Sequence, residues 1–268
     1  MKFSLITACY NSAETLPTAI GSVLEQQDVG IEYIVVDGGS VDGTVNLLRS
    51  YENKFASGGR IAFRWISERD RGMYDAINKG IGMASGDVVG ILNADDMLES
   101  PETLAHVAEA FSRGRAGCAE RVDAVYADVR FVKDDLNTTV RYYSAKHWKP
   151  WMLQWGKMPP HPSVYIRREL FGKYGLYKLG YDIAADYELL IRYLRMAKLN
   201  ACYLDESLVR MRLGGKSTRG WRSNLKLNQE IVRGNRENGY FCCLPMLVPK
   251  YAFKVFEFIL PRLGFGRR

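Results

Sequence analysis

Several features that would mark particular classes of protein are missing from this chain. Its 268 residues include five cysteines (Cys9, Cys118, Cys202, Cys242, Cys243) and three histidines. The cysteines are scattered with no CxxC spacing, so no disulfide or zinc framework can be read from them. The chain opens directly on a strand-like run, Phe3-Ser4-Leu5-Ile6, with no signal-peptide pattern before it. The expected compartment is therefore a reducing cytoplasm, where the Asn137-Thr138-Thr139 sequon is an accident of composition. No apolar run reaches the roughly 18 residues of a spanning helix: the apolar tail from Phe241 to Phe265 is broken by Pro245, Pro249, Pro261, Lys250 and Lys254. Internal repeats, low-complexity segments and nucleic-acid-binding motifs are also missing.

What remains is an ordinary globular composition, 47% hydrophobic and 25% charged, which excludes disorder. The formal charge of +7 is unevenly placed. From Arg210 onward there are 13 Lys and Arg against 3 Asp and Glu, a balance of +10, while residues 1–209 carry 24 against 27, or −3. Basic charge mixed with apolar residues suits an anionic membrane surface.

The first hundred residues alternate strand and helix. Apolar or β-branched runs at 3–9, 31–36, 61–67 and 88–92 predict strands, and amphipathic spacing predicts helices over 13–26 (with Pro17 near its start), 41–51 and 74–84. Strands separated by helices pair in parallel through right-handed crossovers, and ligands of such sheets sit beyond the carboxyl ends of the strands. Polar clusters fall at those ends: Tyr10-Asn11, Asp37 to Ser40, Glu68 to Arg71, and Asp95-Asp96. Beyond Pro101 the pattern predicts a helix near 102–113, a strand at 123–133, an aromatic stretch over 148–162 and a helix at 186–198.

Each cluster admits two readings. Asn93-Ala94-Asp95-Asp96 is either a solvated turn or a site for Mg²⁺ or Mn²⁺, which bind through one or two carboxylates plus substrate phosphates. Asp37-Gly38-Gly39-Ser40 is a turn with Ser40 capping the next helix, or a place where a carboxylate meets a base or ribose while glycine lets a flat ring approach. Asp75 and Lys79 are spaced as an i, i+4 pair, whereas Asp70 and Arg71 precede the helix and are free to grip a base and a diphosphate. Asp186 is a first-turn helix acid with Glu188 as its exposed neighbour, or a general base. His161, in Pro159-Pro160-His161-Pro162, is structural or a ligand for diphosphate or metal; His106, on an amphipathic helix, is structural. Arg212-Leu213-Gly214-Gly215-Lys216-Ser217 is a surface loop or an anion-binding loop, but not a P-loop, because the GxxxxGK[ST] spacing is missing.

Four segments in order, TACYN (7–11), VVDGGSVDGT (35–44), SERDRGMYDAINKGIGMASGD (67–87) and LNADD (92–96), resemble the family 2 glycosyltransferases of the GT-A fold. Within that family the chain is most similar to bacterial enzymes of exopolysaccharide, O-antigen and colanic-acid-type assembly. The resemblance implies a Rossmann-like α/β fold with a mostly parallel central sheet flanked by helices. It places nucleotide-sugar contacts at Thr7, Tyr10, Asn11, Asp37, Asp70, Arg71, Asn78, Asn93, Asp95 and Arg212. The metal, Mn²⁺ or Mg²⁺, would lie on Asp95 with Asp96 and His161, and the catalytic base would be Asp186. Asn93 stands where the family's Asp-x-Asp motif begins with an acid, so metal affinity would rest on Asp95 and Asp96; Ala185 replaces the Glu that commonly precedes the base.

The implied enzyme is inverting. It is also non-processive, since the Gln-x-x-Arg-Trp signature is absent. It would move one sugar, most commonly from a UDP-sugar, to a glycan or lipid-diphosphate-linked acceptor in surface polysaccharide synthesis. The expected organisation is a catalytic domain over 1–217, with a nucleotide-sugar half (1–100) and an acceptor half (101–217). A basic, helical extension over 218–268 carries Trp221, Phe241, Phe253, Phe256 and Phe258, and would meet the inner face of the plasma membrane or pack on the domain or on a second subunit. A nucleotidyltransferase making sugar nucleotides and a non-catalytic sugar-nucleotide scaffold are the alternatives.

Overall fold

The computed structural model describes residues 1–58, 61–113, 121–213 and 220–251. Strands β1 (Lys2–Cys9), β2 (Gly30–Asp37), β3 (Ile61–Ser67) and β4 (Val88–Ile91) alternate with helices α1 (Leu16–Leu24), α2 (Thr44–Gly58) and α3 (Met73–Met83). All four strands run parallel, in the spatial order β3-β2-β1-β4. Residues 31–37 of β2 are buried without interruption, as expected for a parallel strand covered by helices on both faces. Cys9 pairs with Asp37, and Asp37 with Ser67. Three strands therefore end flush, and their following loops start from one edge.

After β4 the sheet becomes mixed. It contains β5 (Met97–Leu98), β6 (Ala124–Val132), β7 (Thr139–Tyr143), β8 (Tyr165–Arg167) and β9 (Ala201–Arg212), with α4 (Thr103–Arg113) between β5 and β6. The sheet continues β4-β8-β6-β9-β5, with β7 also on β6. β8 is antiparallel to both β4 and β6, β9 is parallel to β6, and β5 is antiparallel to β9. Because Tyr165 pairs with Gly90 in opposite sense, residues just ahead of β8 lie beyond the carboxyl end of β4.

The longest strand, β9, was not expected. Between Ala127 and Asp128 of β6 the partner jumps from Leu204 to Ser207, so Asp205 and Glu206 bulge out of register and break the alternation that marks a strand. The helix expected at 186–198 is α6 (Ala185–Leu190) running into a π turn, Ile191–Met196; α5 (Glu169–Tyr174) precedes it. Short 3-10 helices occupy Pro150–Trp155, His161–Ser163 and Leu244–Leu247.

The sheet separates two cores. Leu16, Ile20, Leu48, Leu104 and Phe111 of α1, α2 and α4 cover one face. On the other, Ile77 of α3 and Leu189 of α6 pack with Ile231 of α7 (Gly220–Glu237) and with Cys242 and Leu247. This core crosses the boundary expected at 217/218. Loop residues 214–217 and the tail residues Phe253, Phe256 and Phe258 lie outside the described residues, as do Cys118 and the Trp221 side chain. Among the described residues no helix is long and apolar enough to cross a membrane.

Gly90, at the centre of β4, sits under the buried ring of Tyr165: a Cβ there would lie 2.4 Å from Cε1. Gly90→Ala should cost about 1–3 kcal/mol by overpacking, measurable as a lowered urea midpoint with an unchanged slope.

Candidate active site at the carboxyl edge of the sheet

Asp37 anchors the first wall. Its side chain is fully buried and accepts hydrogen bonds from Gly39 N (3.1 Å), Ser40 N (2.9 Å), Ser40 Oγ and Ser67 Oγ (2.6 Å), with Cys9 Sγ at 3.7 Å. Burial and the Asp37 charge push the Cys9 thiol up, which leaves it protonated. Ser40 thus ties Asp37 down instead of capping α2. The helix entry is met by Asp42, whose Oδ1 accepts Thr44 N at 3.1 Å and Thr44 Oγ1 at 2.6 Å.

The loops after β1 and β2 are stitched to each other. Asn11 N donates to Ser40 Oγ (2.7 Å), Asn11 Oδ1 accepts Val41 N (3.0 Å), Ser12 N donates to Thr44 Oγ1 (2.9 Å) and Ala13 N to Asp42 Oδ2 (3.0 Å). Asn11 takes a left-handed conformation, φ 50°, which Asn tolerates better than most residues. The turn leaves Tyr10 62% exposed. A Cβ on Gly38 would meet Asp70 Oδ2 at 2.7 Å and the Tyr10 ring at 3.4 Å. Tyr10, Gly38 and Asp70 therefore converge, and only glycine leaves room between them.

At the start of α3 the ion pairs differ from the expected Asp75–Lys79 pair. Asp75 accepts Arg71 N (3.0 Å) and pairs with Arg71 Nη2 (3.1 Å), while Lys79 pairs with Glu68 at 2.9 Å. The Arg71 hydrogen bonds hold the Asp75 carboxyl below its usual range. Arg71 itself is largely exposed. Asn78 is committed elsewhere: its Nδ2 donates to Tyr177 O (2.8 Å) and its Oδ1 accepts Tyr177 N (3.0 Å).

The acidic turn follows β4. Thr7 is buried, with its hydroxyl bonded to Leu92 O (2.7 Å) and to Tyr33 Oη (3.0 Å). Asp95 is partly exposed, whereas Asp96 is buried and accepts Asn93 Nδ2 at 2.7 Å. Burial and the adjacent Asp95 charge push the Asp96 carboxyl well above its usual range, opposed by Asn93 and Arg212. Arg212 Nη2 donates to Thr18 Oγ1 at 3.1 Å, and its Nε is buried without a partner among the described residues. For a divalent cation, Asp95 is the accessible hard oxygen ligand and Asp96 supports the turn through Asn93. That set fits a cation bound by one carboxylate and substrate phosphates. Among the described residues no three His, Cys, Asp or Glu side chains cluster as a ligand set, so His161 does not complete one with Asp95 and Asp96.

His161 instead belongs with Asp186. Its Nε2 shares a 2.7 Å hydrogen bond with Tyr177 Oη, and its ring meets the Tyr177 ring edge-on. Tyr177 stacks on Tyr74, and the Tyr74 hydroxyl is shared between Ile183 O (2.6 Å) and Asp186 Oδ1 (3.2 Å). Asp186 Oδ1 also accepts Tyr187 N at 2.8 Å. Burial raises the Asp186 carboxyl, partly offset by His161, and lowers His161, partly offset by Asp186. Burial likewise keeps both phenols protonated. Glu188 is not exposed: it is fully buried and is bound by Arg192 (2.9 Å), Lys178 (2.9 Å) and Asn238 (3.1 Å). Tyr74 and Tyr177 escaped the sequence reading because an isolated aromatic on a helix or loop looks like core.

The comparisons agree with this architecture. A family model, Glycosyl transferase family 2, matches residues 4–175. A PGL/p-HBAD biosynthesis glycosyltransferase of Mycobacterium bovis is 36% identical over 192 residues, covering 71% of this chain and 68% of that one. Among solved structures, S. aureus TarS 1-349 in complex with UDP-GlcNAc superposes with a TM-score of 0.64 at 17% identity, over 87% of this chain and 66% of that one. The mannosyltransferase PcManGT of Pyrobaculum calidifontis, in complex with GDP-Man and Mn²⁺, gives 0.63 at 22%, over 88% and 63%. The chain thus spans slightly less than two thirds of each of these solved chains. The shared fold is GT-A.

Asn78→Ala should release the Tyr177 backbone and cost about 1–3 kcal/mol, read by denaturant melts. Asn78→Asp should not restore it, because a carboxylate would then face Tyr177 O.

Proposed function

This chain belongs to glycosyl transferase family 2 and is a glycosyltransferase; we propose that it inverts configuration as it transfers one sugar per encounter from a nucleoside-diphosphate sugar, UDP-linked by preference. The observation carrying this reading is the Asp186 cluster: a half-buried aspartate, held by Tyr74, whose carboxyl pKa is raised by burial. The topology supports one site, because His161, at the Asp186 cluster, precedes β8 and so lies at the end of β4 that bears Asp95. This membership favours transfer to an acceptor over synthesis of the sugar nucleotide.

In this reading Tyr10, Gly38 and Asp70 receive the base, the Asp37 and Asn11 turns shape the nucleoside wall, and Arg71 and Arg212 supply charge to the diphosphate. A Mn²⁺ or Mg²⁺ ion held by Asp95 would neutralise the leaving diphosphate. The acceptor hydroxyl attacks the anomeric carbon from the face opposite the diphosphate, Asp186 takes its proton, and the bond from carbon to the phosphate oxygen breaks. A raised pKa makes the carboxylate a stronger base for that task, and the Tyr74 hydroxyl orients it.

The acceptor in this reading is a glycan or a lipid-diphosphate-linked sugar of a bacterial surface polysaccharide, reached at the cytoplasmic face of the membrane. Support comes from exposed apolar side chains beside the basic C-terminal segment: Phe241 at 71%, Val248 at 64% and Trp151 at 55%. Rings and aliphatic chains of this kind favour the interfacial layer of a bilayer.

Asp186→Asn should lower transfer by about 10²–10⁴-fold while leaving nucleotide affinity intact; retained turnover would move the base elsewhere. In the wild-type enzyme, kcat should fall on acidification through a pKa above the ordinary aspartate range, because a protonated base accepts no proton. Gly38→Ala should weaken nucleoside-diphosphate binding about tenfold, some 1.4 kcal/mol, by isothermal titration. Hydrolysis of UDP-, GDP- and dTDP-sugars with and without Mn²⁺ identifies nucleotide and metal together, and turnover unaffected by EDTA would remove the metal.

A further inference from the structure

Glu230 lies on α7, outside the span of the family match. It is 7% exposed. Its carboxylate accepts three consecutive backbone N–H groups: Asp182 N at 3.0 Å on Oε1, then Ile183 N at 2.9 Å and Ala184 N at 2.8 Å on Oε2. Successive amides converging on one point form an anion-binding nest, and here the protein supplies the anion from a distant helix.

The three amides lead directly into α6. Its N-cap, Ala184, has no side chain able to cap the helix, and Glu230 meets the N-cap amide from outside, as the N3 Glu of a capping box does locally. Asp186 follows two residues later. The opposite side of the same segment is held by α3, through Tyr74 Oη on Ile183 O, and α7 adds a Lys226–Asp182 ion pair. Packing alone would be better served at this position by an apolar residue such as the neighbouring Ile231, because burying a carboxylate is costly unless donors meet it.

We propose that Glu230 is a positioning residue for transfer: it sets the backbone of 182–184 so that Asp186 faces the acceptor hydroxyl. The proposal rests on the reading of Asp186 as base.

The test uses the full chain with Glu230→Ala and Glu230→Gln, and Asp186→Asn in parallel. Amide exchange is followed over 180–187, UDP affinity by calorimetry, and turnover with UDP-N-acetylglucosamine and GDP-mannose, keeping whichever the wild type uses. In Glu230→Ala the 182–184 amides should lose protection. Its kcat should fall about 10- to 100-fold, while the KM for the sugar nucleotide and the UDP affinity stay within about twofold. Glu230→Gln retains one acceptor oxygen and the side-chain shape, and should recover part of kcat. A kcat near wild type despite lost protection would overturn the proposal. So would a fall in UDP affinity matching the fall in kcat, or failure of both variants to fold, since each makes Glu230 a general structural residue. If Asp186→Asn keeps turnover, the base assignment itself fails. If Asp186→Asn is inactive and Glu230→Ala is not, only the positioning role fails.

Discussion

A carboxylate removed from water must be met by donors at fixed places, and this protein uses that requirement on both sides of the candidate site. Asp37 gathers amides and hydroxyls from β2's own turn and from the end of β3, and so locks neighbouring strand ends into one wall. Glu230 gathers three amides from the approach to α6 and locks the opposite wall. Glu32 performs a similar task at the other edge of the sheet, joining Ser4, Ser85 and Arg64. Each such hub is specific because a buried acceptor left unpaired costs about 1–3 kcal/mol or more.

The two halves of the sheet divide the work. Flush parallel strands deliver Tyr10, Asp37, Asp70 and Asp95 to one edge from four segments, without any of them being close in sequence. The antiparallel return of β8 then brings the His161 turn back to that edge. From there the chain reaches Asp186 through Tyr177, which Asn78 of α3 holds by its backbone. The first hundred residues thus support the segment leading to Asp186 through one helix, and α7 closes the arrangement from behind.

Legibility followed the range of the interactions involved. The alternation of strand and helix up to Ile91 was readable because apolar periodicity reports burial directly. β9 was not, since its bulge places Asp205 and Glu206 where alternation demands otherwise. Partner choice was also hidden: Ser40 had the spacing of a cap but serves Asp37, and Asp42 meets Thr44 at the helix entry in its place. Lys79 was spaced for Asp75 but reaches Glu68, because Arg71 offers Asp75 both its backbone and its guanidinium. Glu188 looked like a surface acid and is fully buried, since Arg192, Lys178 and Asn238 converge on it from separate elements.

By itself the sequence determined the family, the order of elements in the first half, and which strand ends carry the polar clusters, because motif order and periodicity are properties of neighbouring residues. Only the tertiary structure decided the environment of each group: Asp96 buried behind Asn93, Asp186 raised by burial beside Tyr74, Tyr177 and His161, and Glu230 holding the 182–184 amides from α7. Desolvation and the convergence of donors depend on what lies a few ångströms away in space, and those neighbours stand from three to more than a hundred residues apart along the chain.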